Sequence, residues 1–212
     1  MEKVVEKGDF NEVNNILNDS KIKLDLNRKY NDRYLLLDAC YFNSKNTVKS
    51  IINYDKEKTL NLNVKDENGN FPLLWACNNN NPEIVQLLIK YANESKRELK
   101  INDKNEVGNF PLLIAINNIN IEIVNELKKY ADEKNITLEL NEKNIYGDSP
   151  ISSDNNNNNM EIIKLLTKIA FEKSTILNVN EKDIKDISKI NIDVLHYLKE
   201  KLSMNIKDVK NY

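Results

Sequence analysis

Gly69, Gly108 and Gly147 stand 39 residues apart, and so do Pro72, Pro111 and Pro150. The chain of 212 residues has four glycines and four prolines, so three of each share one register. A fixed period of this size is the signature of stacked supersecondary units. Such a chain stacks each unit on its neighbours and need not close one central core.

The rest of the unit keeps the same register. Leu60 and Leu62 alternate up to Asn63, as do Leu99 and Ile101 up to Asn102. Leu138 and Leu140 lead to Asn141 in the same way, and Leu177 and Val179 to Asn180. A Lys and a polar residue follow each time: Lys65-Asp66, Lys104-Asn105, Lys143-Asn144 and Lys182-Asp183. Gly, Pro and a short apolar run come next, Leu73-Leu74-Trp75-Ala76 or Leu112-Leu113-Ile114-Ala115. After an Asn-rich break a second apolar pattern closes the unit. It comprises Ile84, Val85, Leu87, Leu88 and Tyr91, with Ile123, Val124, Glu126, Leu127 and Tyr130 in the next copy.

This order reads as hairpin, helix, turn, helix. Gly accepts positive φ at a hairpin tip without steric cost. Pro suits the first helical turn, where its missing N–H is not needed. Asn follows Gly as the residue for a left-handed helix end. Glu83 and Glu122 put negative charge at the positive end of the second helix. Val85, Leu88 and Ile89 mark a buried stripe at helical spacing.

These residues resemble the ankyrin repeat, whose signature is a hairpin Gly, then Thr-Pro-Leu-His-x-Ala, then a turn and an Ile-Val-x-x-Leu-Leu helix. Here the runs are Gly69-Asn70-Phe71-Pro72-Leu73-Leu74-Trp75-Ala76-Cys77 and Gly108-Asn109-Phe110-Pro111-Leu112-Leu113-Ile114-Ala115. The second helices read Pro82-Glu83-Ile84-Val85-Gln86-Leu87-Leu88 and Glu122-Ile123-Val124-Asn125-Glu126-Leu127. The resemblance implies an all-α, ankyrin-type solenoid of helix-turn-helix repeats joined by β-hairpin-like loops. Phe71 and Phe110 replace the family's Thr, and Leu74 and Leu113 its His, so apolar packing is expected where the family has a hydrogen-bond network. The period exceeds the family's roughly 33 residues. The excess follows the second helix, around Asn93-Glu94-Ser95-Lys96-Arg97, and predicts longer outer helices or loops there.

The ends can be phased as well. Tyr34-Leu35-Leu36-Leu37-Asp38-Ala39-Cys40 aligns with Phe71 to Cys77, and Thr47 to Tyr54 with Ile84 to Tyr91, in a unit whose hairpin lacks both Gly and Pro. Residues 1–27 then form a partial N-terminal unit, containing the helical pattern from Gly8 to Leu17, and 28–63 an atypical one. Residues 64–102, 103–141 and 142–180 are full units, and 181–212 a shortened C-terminal capping unit striped by Val194, Leu195, Leu198 and Leu202. Ile151-Ser152-Ser153-Asp154 and Asn155 to Asn159 make a weak first helix in the third full unit, expected to be short or mobile.

Composition narrows the function. The formal charge is −2, which provides no global basic field for nucleic acid. The sequence predicts no membrane span and no export signal, since Glu2 to Lys7 is charged rather than apolar. Cys40 and Cys77 are too few for a disulfide scaffold, so a cytoplasmic, intracellular location is expected. His196 is the one histidine, which argues against zinc and Ser- or Cys-His chemistry. Cys40 and Cys77 share a small-residue position, and Trp75 is read as inner-helix packing. The glycines are solitary, so no phosphate loop exists. The expectation is no catalytic, cofactor-binding or metal residue, and no cofactor.

Stacked units create an extended concave face. In ankyrin-like folds it is made of hairpin tips and first-helix ends. Carried over by position, the tips offer Glu67, Asn68, Asn70, then Glu106, Val107, Asn109, then Ile145, Tyr146, Asp148. The helix ends offer Tyr41 and Phe42, and further along Asn78, Asn79, Asn117, Asn118, Asn156 and Asn157. Most are ordinary solvated turn residues. Tyr41, Phe42, Val107, Ile145 and Tyr146 stand out, because apolar groups at exposed positions are the usual material of binding hot spots. The expected function is a protein–protein interaction module that binds a partner protein, as a monomer, without nucleic acid or membrane. Two other readings are a structural spacer within a larger repeat protein and an enzyme with an unrecognised carboxylate site. The 38 asparagines are phased too, with Asn63, Asn102, Asn141 and Asn180 at one position and Asn81, Asn120 and Asn159 at another. They read as a composition bias tolerated where turns accept Asn.

Overall fold

The computed structural model describes residues 10–19, 24–150, 160–173, 175 and 177. The weak helix expected over residues 151–159, the C-terminal unit 181–212 and His196 lie outside them. Among the described residues the chain forms eight helices and one two-stranded antiparallel hairpin. Helix α1 spans Phe10–Asn18, and the hairpin pairs β1 (Lys29–Tyr30) with β2 (Arg33–Tyr34). Then follow α2 (Leu35–Tyr41), α3 (Lys45–Tyr54), α4 (Pro72–Asn78), α5 (Pro82–Ser95), α6 (Pro111–Asn117), α7 (Ile121–Lys134) and α8 (Met160–Glu172).

Two layers result. The short inner helices α2, α4 and α6 stack on one another, and α1, α3, α5, α7 and α8 form the outer stack. Each inner helix has 7 residues, whereas α5 and α7 have 14. The extra length of the period therefore lies in the outer helices. They end where Lys96 and Asn135 turn left-handed, at φ 55° and 54°. Pro72 and Pro111 open α4 and α6, behind the extended Phe71 and Phe110. Phe71, Phe110, Leu74 and Leu113 are all buried, so carbon packing fills the places of the family's Thr and His.

At about 100° per residue, Leu73, Leu74, Ala76 and Cys77 form one buried arc, and Trp75 falls outside it. Trp75 is thus half-buried on the inner face rather than enclosed, and Ile114 repeats that position. Between inner and outer helices the chain turns left-handed at Asn43, Asn80 and Ile119, with φ of 56°, 56° and 55°. Asn tolerates that region, whereas a β-branched residue is strained in it. Asn81 and Asn120 then cap the outer helices by accepting the Ile84 and Ile123 N–H groups at 3.1 and 2.9 Å.

Side chains from successive units hold the extended segments before each hairpin. The Tyr54, Tyr91 and Tyr130 hydroxyls accept the N–H groups of Leu24, Leu60 and Leu99 at 2.6, 3.1 and 3.0 Å. Tyr91 also donates to the Asp55 carboxylate. Burial acts to raise the Asp55 pKa, but hydrogen bonds from Tyr91, Leu60 and Thr59 outweigh it, and the net shift is downward.

Asparagines make a second set of joints. Asn63 donates its amide to the Glu98 carbonyl at 2.7 Å and accepts the Lys100 N–H at 3.0 Å. Asn102 does the same with Thr137 and Glu139, and Asn27 with Thr59 and Asn61. Each amide thus pairs with the backbone of the next unit as a strand would. Asn79 and Asn118 add bonds to the Cys40 and Cys77 carbonyls of the preceding inner helices at 2.8 and 3.0 Å. Asn63, Asn81, Asn102 and Asn120, which looked merely tolerant of bias, are structural joints.

Candidate functional site

The hairpin tips are built from the base upward. In the second unit Gly69 adopts φ 74°, and its N–H reaches the Asp66 carbonyl at 3.0 Å. The Asp66 carboxylate accepts the Asn68 and Asn70 N–H groups at 2.9 and 2.8 Å, which fixes the turn. Asn105 and Asn144 take over this role in the next two hairpins. The first hairpin has no Gly and instead turns at Asn31 and Asp32, with φ of 53° and 60°. Two successive left-handed residues are what a two-residue hairpin of this twist requires.

Adjacent tips are bonded directly. Glu106 N donates to the Asn68 carbonyl and Ile145 N to the Val107 carbonyl, both at 3.0 Å. Beneath them Asn105 donates to Asn70 at 2.7 Å, and Asn144 to Asn109 at 2.9 Å. The row is therefore a fixed backbone from which tip side chains project.

The tip residues divide by environment. Glu67, Asn68 and Glu106 are exposed. Asn70, Asn109 and Asp148 are half-buried, and their side chains are engaged within the hairpin row. Val107 was expected to be exposed like Tyr146 but is half-buried, with the third tip bonded against it. Ile145 and Tyr146 are 67% and 71% exposed, and Tyr41 and Phe42, where α2 ends, 43% and 46%.

Trp75, which the sequence assigned to packing alone, joins the hairpin row to the helix ends. Its Nε1 donates to Asp66 at 3.2 Å, and its ring meets Tyr41 edge-on, centroids 4.7 Å apart. Tyr41 meets Phe42 in the same way at 4.7 Å. The Arg33 guanidinium lies 5.5 Å from the Phe42 ring centre and donates from Nε to Asp38 at 3.0 Å. Asp38 occupies the register position of Trp75 and Ile114 but is buried, and its second carboxylate oxygen has no hydrogen-bond partner. Burial pushes its pKa up to about 6, although Arg33 acts to lower it. The helical spacing of Trp75 relative to Leu74 and Cys77 was the signal that could have found it.

Cys40 and Cys77 are fully buried, and burial pushes both thiols up, away from the nucleophilic thiolate. Among the described residues no group of three His, Cys, Asp or Glu could hold a metal ion. No described helix is long and apolar enough to cross a membrane. An open groove of about 460 Å³ runs past Asn27, Asn63, Arg97 and Glu98. Within it Asn27 and Asn63 are engaged in their joints, and Arg97 Nε bonds the Lys58 carbonyl at 3.2 Å.

A family model for ankyrin repeats, three copies long, matches the chain over residues 2–98 and again over 36–138. No curated protein matches the chain significantly.

Proposed function

The chain belongs to the ankyrin-repeat family, and from that premise we propose that it is a non-catalytic module that binds a partner protein across its hairpin tips and inner helices. Ankyrin repeats in general are protein–protein interaction modules. One observation carries the reading for this chain. Five large apolar side chains are exposed among the described residues, and four of them, Tyr41, Phe42, Ile145 and Tyr146, lie at hairpin tips or inner-helix ends. Exposed apolar groups on a rigid backbone favour binding, because little loop entropy remains to be lost.

Affinity capture from the source cell tests this, with wild type beside Ile145→Asp/Tyr146→Asp. Both side chains point into solvent, so the variant should keep the wild-type melting temperature. A partner lost from the variant supports the reading. A partner retained equally by both overturns the face assignment and favours a spacer role.

A further inference from the structure

The carboxylates of this chain are not used evenly. Away from the hairpin tips several are paired. Glu83 meets Lys45 at 2.8 Å, Glu94 meets Lys58 at 2.9 Å, and Asp132 meets Lys128 at 2.7 Å. At the hairpin bases Lys65 and Lys104 reach Asp103 and Glu142 of the following units, at 3.0 and 2.6 Å. Those two lysines are therefore drawn along the solenoid and away from the tips. Lys143 holds the same base position in the Gly147 hairpin.

Glu67 and Glu106 are unpaired among the described residues and lie side by side, exposed on successive, directly bonded tips. Asp38 adds a second kind of unmet acceptor, with one buried carboxylate oxygen that nothing satisfies. Arg33, the cation nearest to it, is bonded to its other oxygen and lies over Phe42. On one side of the two glutamates lie Tyr41, Phe42 and Trp75, and on the other Ile145 and Tyr146. A face with unpaired negative charge between apolar patches complements a ligand with positive charge between apolar groups.

We propose that this face takes a linear segment of the partner that is basic at its centre and apolar at both flanks. Its Lys or Arg side chains meet Glu67 and Glu106. Its flanking aromatic or aliphatic side chains lie on the Tyr41–Trp75 pair and on Ile145–Tyr146. This inference rests on the interaction reading above and specifies the chemistry of the partner.

The test is a display library of random linear peptides panned against the whole chain. Three baits are used: wild type, Glu67→Lys/Glu106→Lys, and Ile145→Asp/Tyr146→Asp. Wild type should enrich Lys- and Arg-containing sequences flanked by apolar residues. The charge-reversed bait should bind those peptides about tenfold more weakly, as two exposed ion pairs predict, and should enrich acidic sequences instead. Wild-type binding should also weaken as salt rises. Enrichment of acidic or uncharged peptides on wild type, lost on the Ile145/Tyr146 bait, overturns the charge class and leaves the face standing. Peptides that bind all three baits equally, or no enrichment on wild type, overturn the face as well.

Discussion

A β-carbon on Gly108 would stand 2.9 Å from the Cα of Asn144. The Gly147 hairpin is thus laid against the Gly108 hairpin at the one point where the latter has no side chain. At Gly69 the corresponding approach, to Asn105 Cα and Glu106 N, is 3.2 Å, and at Gly147 nothing lies within 4 Å. All three have positive φ, so alanine strains each backbone by about 1–2 kcal/mol. Gly108→Ala adds a backbone clash that cannot be relieved by a side-chain rotation. Urea unfolding should rank the losses Gly108→Ala, then Gly69→Ala, then Gly147→Ala. Equal losses at Gly108 and Gly147 would show that hairpin contact does not matter.

The asparagine joints should be measurable one by one. Asn63→Ala removes a donor and an acceptor from the backbone of the next unit, at a cost of about 1–2 kcal/mol. Asn102→Ala should cost a similar amount, and the two should add, because the joints share no partner. Asn125→Ala, on the exposed face of α7, should cost nothing. Thermal melts of wild type, the three single variants and Asn63→Ala/Asn102→Ala decide this. If Asn63→Ala behaves like Asn125→Ala, the joints are ornamental.

The tyrosine latches should be unequal. Tyr91 accepts the Leu60 N–H and donates to the Asp55 carboxylate, whereas Tyr130 accepts the Leu99 N–H at 3.0 Å. Hydrogen bonds to an ionised group are the stronger class. Tyr91→Phe should therefore cost about 2 kcal/mol and Tyr130→Phe about 1 kcal/mol in chemical denaturation. The reverse order would contradict the part given to Asp55.

Asp38 makes stability depend on pH in an unusual direction. Its folded pKa, about 6, lies above the ordinary 3.8 because the carboxylate is buried. The folded state therefore holds the proton more tightly than the unfolded chain does. The resulting stabilisation is complete below the unfolded pKa and is lost as pH rises through about 6, a change of about 3 kcal/mol. Asp55, with its pKa lowered, acts oppositely and loses its contribution only in stronger acid. Wild type should thus resist urea better at about pH 5 than at about pH 7.5. In Asp38→Asn the two midpoints should converge. A wild-type midpoint that is higher at the more basic pH would refute this account.

Gly69, Gly108, Pro72 and Pro111 made the architecture legible, because positive φ and a helical first turn each restrict the choice of residue. Ile145 and Tyr146 were legible as tip residues for the same reason, since they precede Gly147. The asparagines were not. Asn63 looks like any solvated turn residue until the chain returns 35 residues later and offers it the Glu98 carbonyl. Local spacing carries no trace of such a partner. Trp75 was hidden by its apolar neighbours Leu73 and Leu74, and only its angular position on α4 separates it from them. Ile119 gave no sign of a left-handed turn, because a β-branched residue is the poorest choice for one.

The amide bridge from Asn120 to Asn80, at 2.6 Å, repeats the one from Asn81 to Asn43, at 2.7 Å. Donor and acceptor are the same amino acid, contributed by every unit that has Asn at both positions. A tandem duplication of residues 64–102 would therefore bring its own adhesive to both of its borders. A duplication of residues 103–141 would not, because Ile119 stands where the acceptor belongs. The second unit is the one from which this solenoid could lengthen by copying, and the third is where such growth would leave a weaker seam.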